Sequence, residues 1–243
     1  MSGWIVADGG GGPVIPNFGH GSACLHNNGW FCPEWVRNHW GDILQPALIQ
    51  HIELTLIAVG VGFAVSFLLA LVGFRFRLFD LPLGVATDFL YTIPSIALFQ
   101  LLVPFTGLTV TTIEIALVSY TLFVFYRNIV AGLRGVPAEV LESARGMGLT
   151  RRQTFWRVEL PLALPAILVG VRVATVSTIS IATVAAFLIY YGLGGPIFDA
   201  LGQPDIFRTE LVAAGGLAIL LALAADTLIA LLQRVLTPWS RIR

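Results

Sequence analysis

The sequence contains no lysine, and only 12% of its 243 residues are charged. About a quarter of the residues of a soluble domain are charged, so this composition excludes an ordinary soluble globular domain. Without lysine, the chain also lacks the phosphate-binding glycine loop that ends in that residue. Fourteen arginines balance fourteen acidic residues, so no excess of positive charge is present and we expect no nucleic-acid partner.

Apolar residues make up 56% of the chain, and its mean hydropathy is +0.84. A membrane-spanning helix needs about 20 mainly apolar residues. Five segments meet that requirement: 51–74, 84–105, 110–133, 163–189 and 209–232. Helices are expected because an open sheet leaves backbone groups unpaired in lipid. The predicted fold is therefore an all-α polytopic membrane protein with five spans.

Arginine is concentrated in the segments that follow the first, third and fifth spans. Cytoplasmic loops of membrane proteins carry the excess of basic residues. With five spans, these three segments lie on the same side of the membrane. We predict that this side is the cytoplasmic side and that the protein lies in the inner membrane of the cell. We therefore predict that the N-terminal tail, residues 1–47, is extracytoplasmic and that the C-terminus is cytoplasmic. The Gly-rich residues 1–30 of this tail are expected to be poorly ordered.

Cys24 and Cys32 are the only cysteines, and both fall in that tail. An extracytoplasmic location is oxidising, which favours a small disulfide loop between them. Two unpaired thiols remain the alternative. His20, His26 and His39 lie nearby, but their spacing fits no zinc pattern, so no metal site is expected.

One long polar segment, residues 136–161, interrupts the apolar pattern. Pro137 is suited to the first turn of a helix, and Gly146 and Gly148 then permit a sharp bend. Thr150 with Gln153 predicts a capping box that starts a second helix.

Pro161 and Pro165 are predicted to end this second short helix and to begin the next span. Two short helices joined by a glycine bend would form a firm, partly apolar surface outside the membrane. Such a surface is suited to docking another protein, with Leu141, Met147 and Phe155 as its apolar residues.

The segment also carries a motif: Glu142-Ser143-Ala144, three residues, Gly148, nine residues, then Val158-Glu159-Leu160-Pro161. This pattern resembles the EAA signature of ATP-binding-cassette importer permeases, with Ser and Val as small departures. The stretches "YTIPSIALFQLLVPFTG", "LPLALPAILVGVR" and "IATVAAFLIYYGLGGPI" resemble the glycine betaine, carnitine and choline branch. The tyrosines of "YYGLGGP" stand where that branch commonly has small residues, which leaves the exact cargo open.

The resemblance implies an importer subunit that is not itself an enzyme. Its coupling segment would fit a groove of a cytoplasmic ATPase, which would bind ATP and Mg. The implied coupling residues are Glu142, Ser143, Ala144, Gly148, Arg151, Arg152, Leu160 and Pro161. A second permease, identical or paralogous, and an extracytoplasmic substrate-binding protein would complete the assembly in the lipid bilayer.

Polar residues within the spans are candidates for the translocation path: Thr92, Pro94, Ser95, Gln100, Thr178 and Ser180. A proline-broken helix is tolerated where it lines a cavity. Helix packing is the alternative role for the small polar residues. For the ionisable groups Asp88, Glu114, Arg127, Arg172 and Asp226 we favour structural pairing over contact with cargo, with Arg172 and Asp226 pairing across the bundle.

Other functions remain to be weighed. The same machinery would serve a methionine-type or ergothioneine-type cargo. A membrane enzyme is disfavoured because the spans contain no metal pair and no Ser/His arrangement. A channel would need no coupling segment.

Overall fold

The computed structural model describes residues 23–241, and all regular structure in that range is helical. The α-helices are α1 (Ala23–His26), α2 (Pro33–Asn38), α3 (Gln45–Arg75), α4 (Arg77–Thr92), α5 (Ser95–Thr106), α6 (Val110–Arg134), α7 (Ala138–Gly146), α8 (Arg151–Thr154), α9 (Leu160–Ala185), α10 (Gly194–Gly202) and α11 (Arg208–Leu236). Among the described residues, four continuous helical stretches are long and apolar enough to cross a membrane. The bent pair α4–α5 makes a fifth. These helices confirm the predicted all-α polytopic fold.

The core of the bundle is α6, which packs against both α3 and α9. Gly62 of α3 faces Thr121 of α6 so closely that a methyl group at Gly62 would lie 1.8 Å from the Thr121 hydroxyl. Gly170 of α9 meets Asn128 of α6 in the same way, with 2.7 Å between the added carbon and Asn128 Cβ. Small residues let membrane helices approach closely. These two crossings therefore fix α6 between its neighbours.

The second predicted span is broken at Pro94, and its two halves, α4 and α5, are bent by 99°. Ile93 is extended, at φ −70° and ψ 126°, as expected for a residue before proline. The Tyr120 hydroxyl of α6 donates a hydrogen bond to the Ile93 carbonyl, which satisfies that backbone oxygen at the break. Residues 84–105 are therefore not one straight helix.

The prediction that Pro161 and Pro165 end a second short helix is wrong. Helix α8 continues through a π-helical turn, Phe155–Glu159, directly into α9, so one helical stretch runs from Arg151 to Ala185. In the π turn the Leu160 amide bonds the Phe155 carbonyl, one residue further back than in an α-helix. This wider turn lies just before Pro161, where a regular helix would place the proline ring against a carbonyl.

Residues 23–44, called here the N-terminal cap, are folded, which corrects the expectation of a poorly ordered tail. Cys24 and Cys32 form a disulfide. Buried Cys32, Trp35 and Leu44 pack against α10 and α11 through residues that include Phe207 and Ala214. The predictions for residues 1–22, including His20, concern a part of the chain outside the described residues.

Two further differences follow the fourth span. Helix α9 ends at Ala185, four residues before the predicted end, and the short helix α10 follows it. Helix α10 begins with Gly194, Gly195 and Pro196, so hydropathy alone does not predict a helix there.

Candidate functional site

The bend after α7 is centred on Gly148, which has φ +80°. The Leu149 amide donates to the Ala144 carbonyl at 3.2 Å, and the Met147 amide donates to the Ser143 carbonyl at 3.0 Å. This bonding across a left-handed glycine is the common way to end a helix. No atom lies within 4 Å of a carbon added at Gly148, so backbone conformation, not space, requires glycine here.

The predicted capping box starts α8. The Thr150 side chain accepts from the Gln153 amide at 3.4 Å, and the Gln153 side chain accepts from the Thr150 amide at 2.8 Å. Both ends of the bend are therefore held by local hydrogen bonds. The segment from α7 to α8 is a shaped element and not a flexible loop.

A groove of about 950 Å³ lies between this bend and the end of α3. Its lining residues are Leu71, Phe74, Arg75, Leu141, Arg145, Leu149, Arg151, Arg152, Thr154, Phe155, Trp156 and Glu159. Four of these are arginines and one is acidic. The groove therefore combines an apolar floor with an excess of positive charge.

The predicted coupling residues divide into two groups. Arg151 and Arg152 line the groove, next to Leu141 and Arg145 from the same face of α7. Ala144 is the buried residue of α7, at 1% exposure, so α7 packs on the protein through this position.

The remaining predicted residues lie outside the groove. The Glu142 carboxylate is exposed and forms no hydrogen bond or ion pair with the described residues. The Ser143 hydroxyl donates to the Glu139 carbonyl at 2.8 Å. Leu160 packs on the core of the bundle, and Pro161 begins α9 beside it.

Sequence reasoning named Met147 and missed Trp156. Met147 is 72% exposed and Trp156 is 53% exposed, both within the polar segment. Trp156 stands edge-on to Phe155, with ring centroids 5.3 Å apart. The sequence signal that could have identified it is a tryptophan within the nine-residue gap of the motif, because tryptophan is enriched at the centres of protein interfaces.

The predicted path residues occupy two places in the bundle. Thr92, Pro94 and Ser95 lie at the break between α4 and α5, and Gln100 lies in the middle of α5. On α9, Thr178 is buried and its hydroxyl donates to the Ala174 carbonyl at 2.8 Å, whereas Ser180 is exposed. Two residues apart on a helix are about 200° apart in direction. Thr178 and Ser180 therefore do not face one common surface.

Two ion pairs hold α4 against α6. Arg127 of α6 bonds Asp88 of α4 through two nitrogens, and Arg134 of α6 contacts Asp80 of α4 at 2.9 Å. These pairs join one face of α4 to α6. The structural pairing favoured for Asp88 and Arg127 is thus present, because the two pair with each other. The pairing favoured for Glu114 is wrong, since its carboxylate has no hydrogen-bond partner among the described residues.

The chain is similar to known proteins over most of its length. A family model, "Binding-protein-dependent transport system inner membrane component", matches residues 53–241. The choline transport system permease protein of Bacillus subtilis (strain 168) is 32% identical over 206 residues, 84% of this chain and 93% of that protein. The osmoprotectant import permease protein OsmW of Salmonella typhimurium is 36% identical over 195 residues, 78% of this chain and 89% of that protein.

A solved structure has the same fold. A chain of the MetNI methionine ABC transporter, in an inward-facing conformation, superimposes with a TM-score of 0.71. The match covers 83% of this chain and 98% of that chain at 18% identity, a level that shows fold alone. The family match over residues 53–241, together with the helical bundle, establishes that the chain belongs to the family of binding-protein-dependent transport system inner membrane components and is a multi-pass permease subunit.

Proposed function

We propose that the chain is the permease of an ATP-driven importer of quaternary amines of the choline, carnitine, glycine betaine and proline betaine type. In this proposal α7 and the bend at Gly148 dock a cytoplasmic ATPase, which holds the ATP and Mg. A second permease copy or paralogue and an extracytoplasmic binding protein complete the importer. The domains proposed are the extracytoplasmic region 1–47, the permease core 48–240 and the coupling segment 136–161.

The observation that carries the coupling role is the groove beside α7. Arg145, Arg151 and Arg152 line this groove together with apolar side chains such as Leu141 and Phe155. Exposed ion pairs contribute only about 0–1 kcal/mol each. We therefore infer that these arginines orient the ATPase and contribute little to its affinity. Exposed Met147 and Trp156 supply the apolar area that docking requires.

Orientation follows from where arginine gathers in the folded chain. Arg75, at the end of α3, lines the same groove as Arg145 and Arg151, so these residues lie at one end of the bundle. Basic residues favour the cytoplasmic side. This supports a cytoplasmic coupling segment and, with five spans, an extracytoplasmic N-terminal cap.

The quaternary amine cargo rests on the relatives, whose names include choline transport and osmoprotectant import. Nothing favours methionine beyond the likeness of fold, because the structural match to its transporter is only 18% identical. An enzyme or a channel would leave the shaped coupling segment without a role.

The test is uptake of labelled choline by proteoliposomes that contain the permease, its ATPase and its binding protein. Glu142→Lys places a positive charge on the exposed face of α7 beside the arginines. We expect normal membrane insertion, continued ATP hydrolysis and uptake reduced by roughly tenfold or more, the loss that corresponds to about 1.4 kcal/mol.

The matched control is Asp205→Asn, which changes one exposed acidic residue far along the chain from the coupling segment. Its uptake should equal that of the unmodified protein. Uptake by Glu142→Lys at the unmodified rate would contradict the assignment of α7 as the coupling element. Absence of choline uptake by the unmodified complex would contradict the cargo.

A further inference from the structure

A buried carboxylate without a partner lies near the start of α6. Both oxygens of Glu114 are inaccessible to solvent, and neither has a hydrogen-bond partner in the described part of the chain. Buried polar groups are almost always paired, and ionisable residues within a membrane span are rare and commonly functional. In its ionised form, Glu114 therefore has no compensating partner among the described residues.

Two groups lie close to this carboxylate. Leu54 of α3 and Ile113 of α6, the chain neighbours of Glu53 and Glu114, pack in one hydrophobic cluster with Tyr191. The Tyr191 hydroxyl donates to Glu53 Oε2 at 3.4 Å. Burial raises the pKa of Tyr191, and the charges of Glu53 and Glu114 raise it further, so the phenol stays a proton donor. The three side chains thus place two carboxyl groups beside one aromatic ring.

This arrangement is held in place by the loop after α9. The Gln50 side chain accepts from the Gly192 amide at 3.0 Å, and His51 Nδ1 accepts from the Leu193 amide at 3.2 Å. Gly192 has φ +66°, and a carbon added there would lie 3.0 Å from His51 Nδ1. Tyr191 is therefore fixed against α3 by its chain neighbours and does not reach Glu53 by chance.

His51 does not supply the missing positive charge. Its Nδ1 accepts a backbone N–H, so its Nε2 carries the proton and donates to the Ile179 carbonyl at 3.1 Å. The ring is neutral in this arrangement. The ion pairs of the described residues include neither Glu53 nor Glu114. Within residues 23–241, no cationic side chain therefore pairs with Glu53 or Glu114.

We propose that Glu53, Glu114 and Tyr191 form a site for the quaternary ammonium head of the cargo at the outer end of the permease. The inference rests on the proposed function and adds a binding site to it. A quaternary ammonium has no N–H group, so it needs negative charge and aromatic surface instead of hydrogen-bond acceptors in fixed directions. A metal ion needs a shell of several oxygen ligands, and no cluster of three acidic, histidine or cysteine residues suited to one is found among the described residues.

The different exposure of Glu53 and Glu114 determines which carboxylate the cargo contacts first. Glu53 is exposed, whereas the oxygens of Glu114 are covered in this conformation. The cargo therefore meets Glu53 first. It reaches Glu114 only in a conformation that uncovers the Glu114 carboxylate.

The test uses the purified permease–ATPase complex in lipid nanodiscs without the binding protein. A non-hydrolysable ATP analogue holds the complex outward-facing, and binding of labelled tetramethylammonium is measured. We expect saturable binding in the unmodified complex, weakened roughly tenfold or more by Glu114→Gln and by Glu53→Gln. Glu114→Asp should retain part of the binding, and Asp205→Asn all of it.

Glu53 is exposed, so Glu53→Gln tests the site even if Glu114→Gln folds poorly. The site is overturned if tetramethylammonium binding is unchanged in Glu53→Gln or in a folded Glu114→Gln. It is also overturned if the complex binds labelled sodium that tetramethylammonium does not displace. Failure of the proposed function is a separate result: the unmodified complex with its binding protein would then import no choline. Normal choline uptake together with unchanged tetramethylammonium binding in the variants would reject this site alone.

Discussion

Arg172 of α9 and Asp226 of α11 form a bidentate ion pair, with Nε–Oδ1 and Nη2–Oδ2 distances of 2.8 Å each. The pair is the link across the bundle that the sequence predicts for these residues. Bidentate geometry is the strong form of the arginine–carboxylate contact. Helix α11 has few buried residues of its own, so this pair is an important part of its attachment.

Breaking this pair should reduce the amount of folded protein. Arg172→Asp alone places two carboxylates together, and Asp226→Arg alone places two guanidinium groups together. We expect each to lose most of the monodisperse protein seen by size-exclusion chromatography after detergent extraction. The double variant Arg172→Asp with Asp226→Arg should recover much of it, and no recovery would show that the pair does not act as a unit.

The two glycines near the coupling bend make a matched pair for mutation. Gly148→Ala places a side chain at φ +80°, which costs about 1–2 kcal/mol of local stability. Gly146→Ala lies in the last turn of α7 with open space around it and should be neutral or slightly stabilising.

Choline-stimulated ATP hydrolysis and choline uptake measure the consequence for coupling. We expect Gly148→Ala to lower the ratio of uptake to ATP hydrolysis and Gly146→Ala to leave it unchanged. Equal ratios in the two variants would mean that the left-handed conformation at Gly148 does not matter for coupling.

Local sequence signals predict much of this fold, for identifiable reasons. Hydropathy finds the spans because lipid requires long apolar helices. Thr150 and Gln153 predict their capping box because that interaction is local. Pro94 marks the break of the second span, although the 99° angle depends on packing against α6 and cannot be read from the residue alone.

Contacts between distant parts of the chain are what the sequence does not reveal. The π turn before Pro161 replaces a predicted helix end, because a helix can absorb a proline by widening. Cap residues such as Trp35 find partners near Phe207, more than 150 positions away. Tyr191 and Glu53 likewise meet only through the fold, so the charged site around Glu114 has no sequence motif.

The hydrogen bond at the break of the second span gives a further prediction. Tyr120→Phe leaves the Ile93 carbonyl without its donor in a buried place, which should destabilise the protein by about 1–2 kcal/mol. Thermal unfolding in detergent measures the change. Tyr190→Phe is the control, because Tyr190 is exposed and its hydroxyl should not affect unfolding. Equal unfolding temperatures for the two variants would remove Tyr120 as the support of the break.

The N-terminal cap depends on its disulfide and on contacts with the start of α11. Asn28 bridges the loop before that helix: its side chain donates to the Ile206 carbonyl at 2.8 Å and accepts from the Arg208 amide at 3.1 Å. The Cys24–Cys32 bond closes a short loop around these contacts. By limiting the open forms of the cap, such a bond contributes about 2–3 kcal/mol.

Replacing both Cys24 and Cys32 with Ser should therefore open the cap locally while the bundle remains folded. Hydrogen exchange of the cap backbone, compared with that of α6, measures this directly. We expect exchange at residues 23–44 to speed up by at least tenfold, with α6 unchanged. Asn28→Ala should produce a smaller change in the same direction, because it removes the bridge but keeps the covalent loop. Unchanged exchange in the double Ser variant would show that packing of Trp35 and Leu44 against α10 and α11 holds the cap without the disulfide.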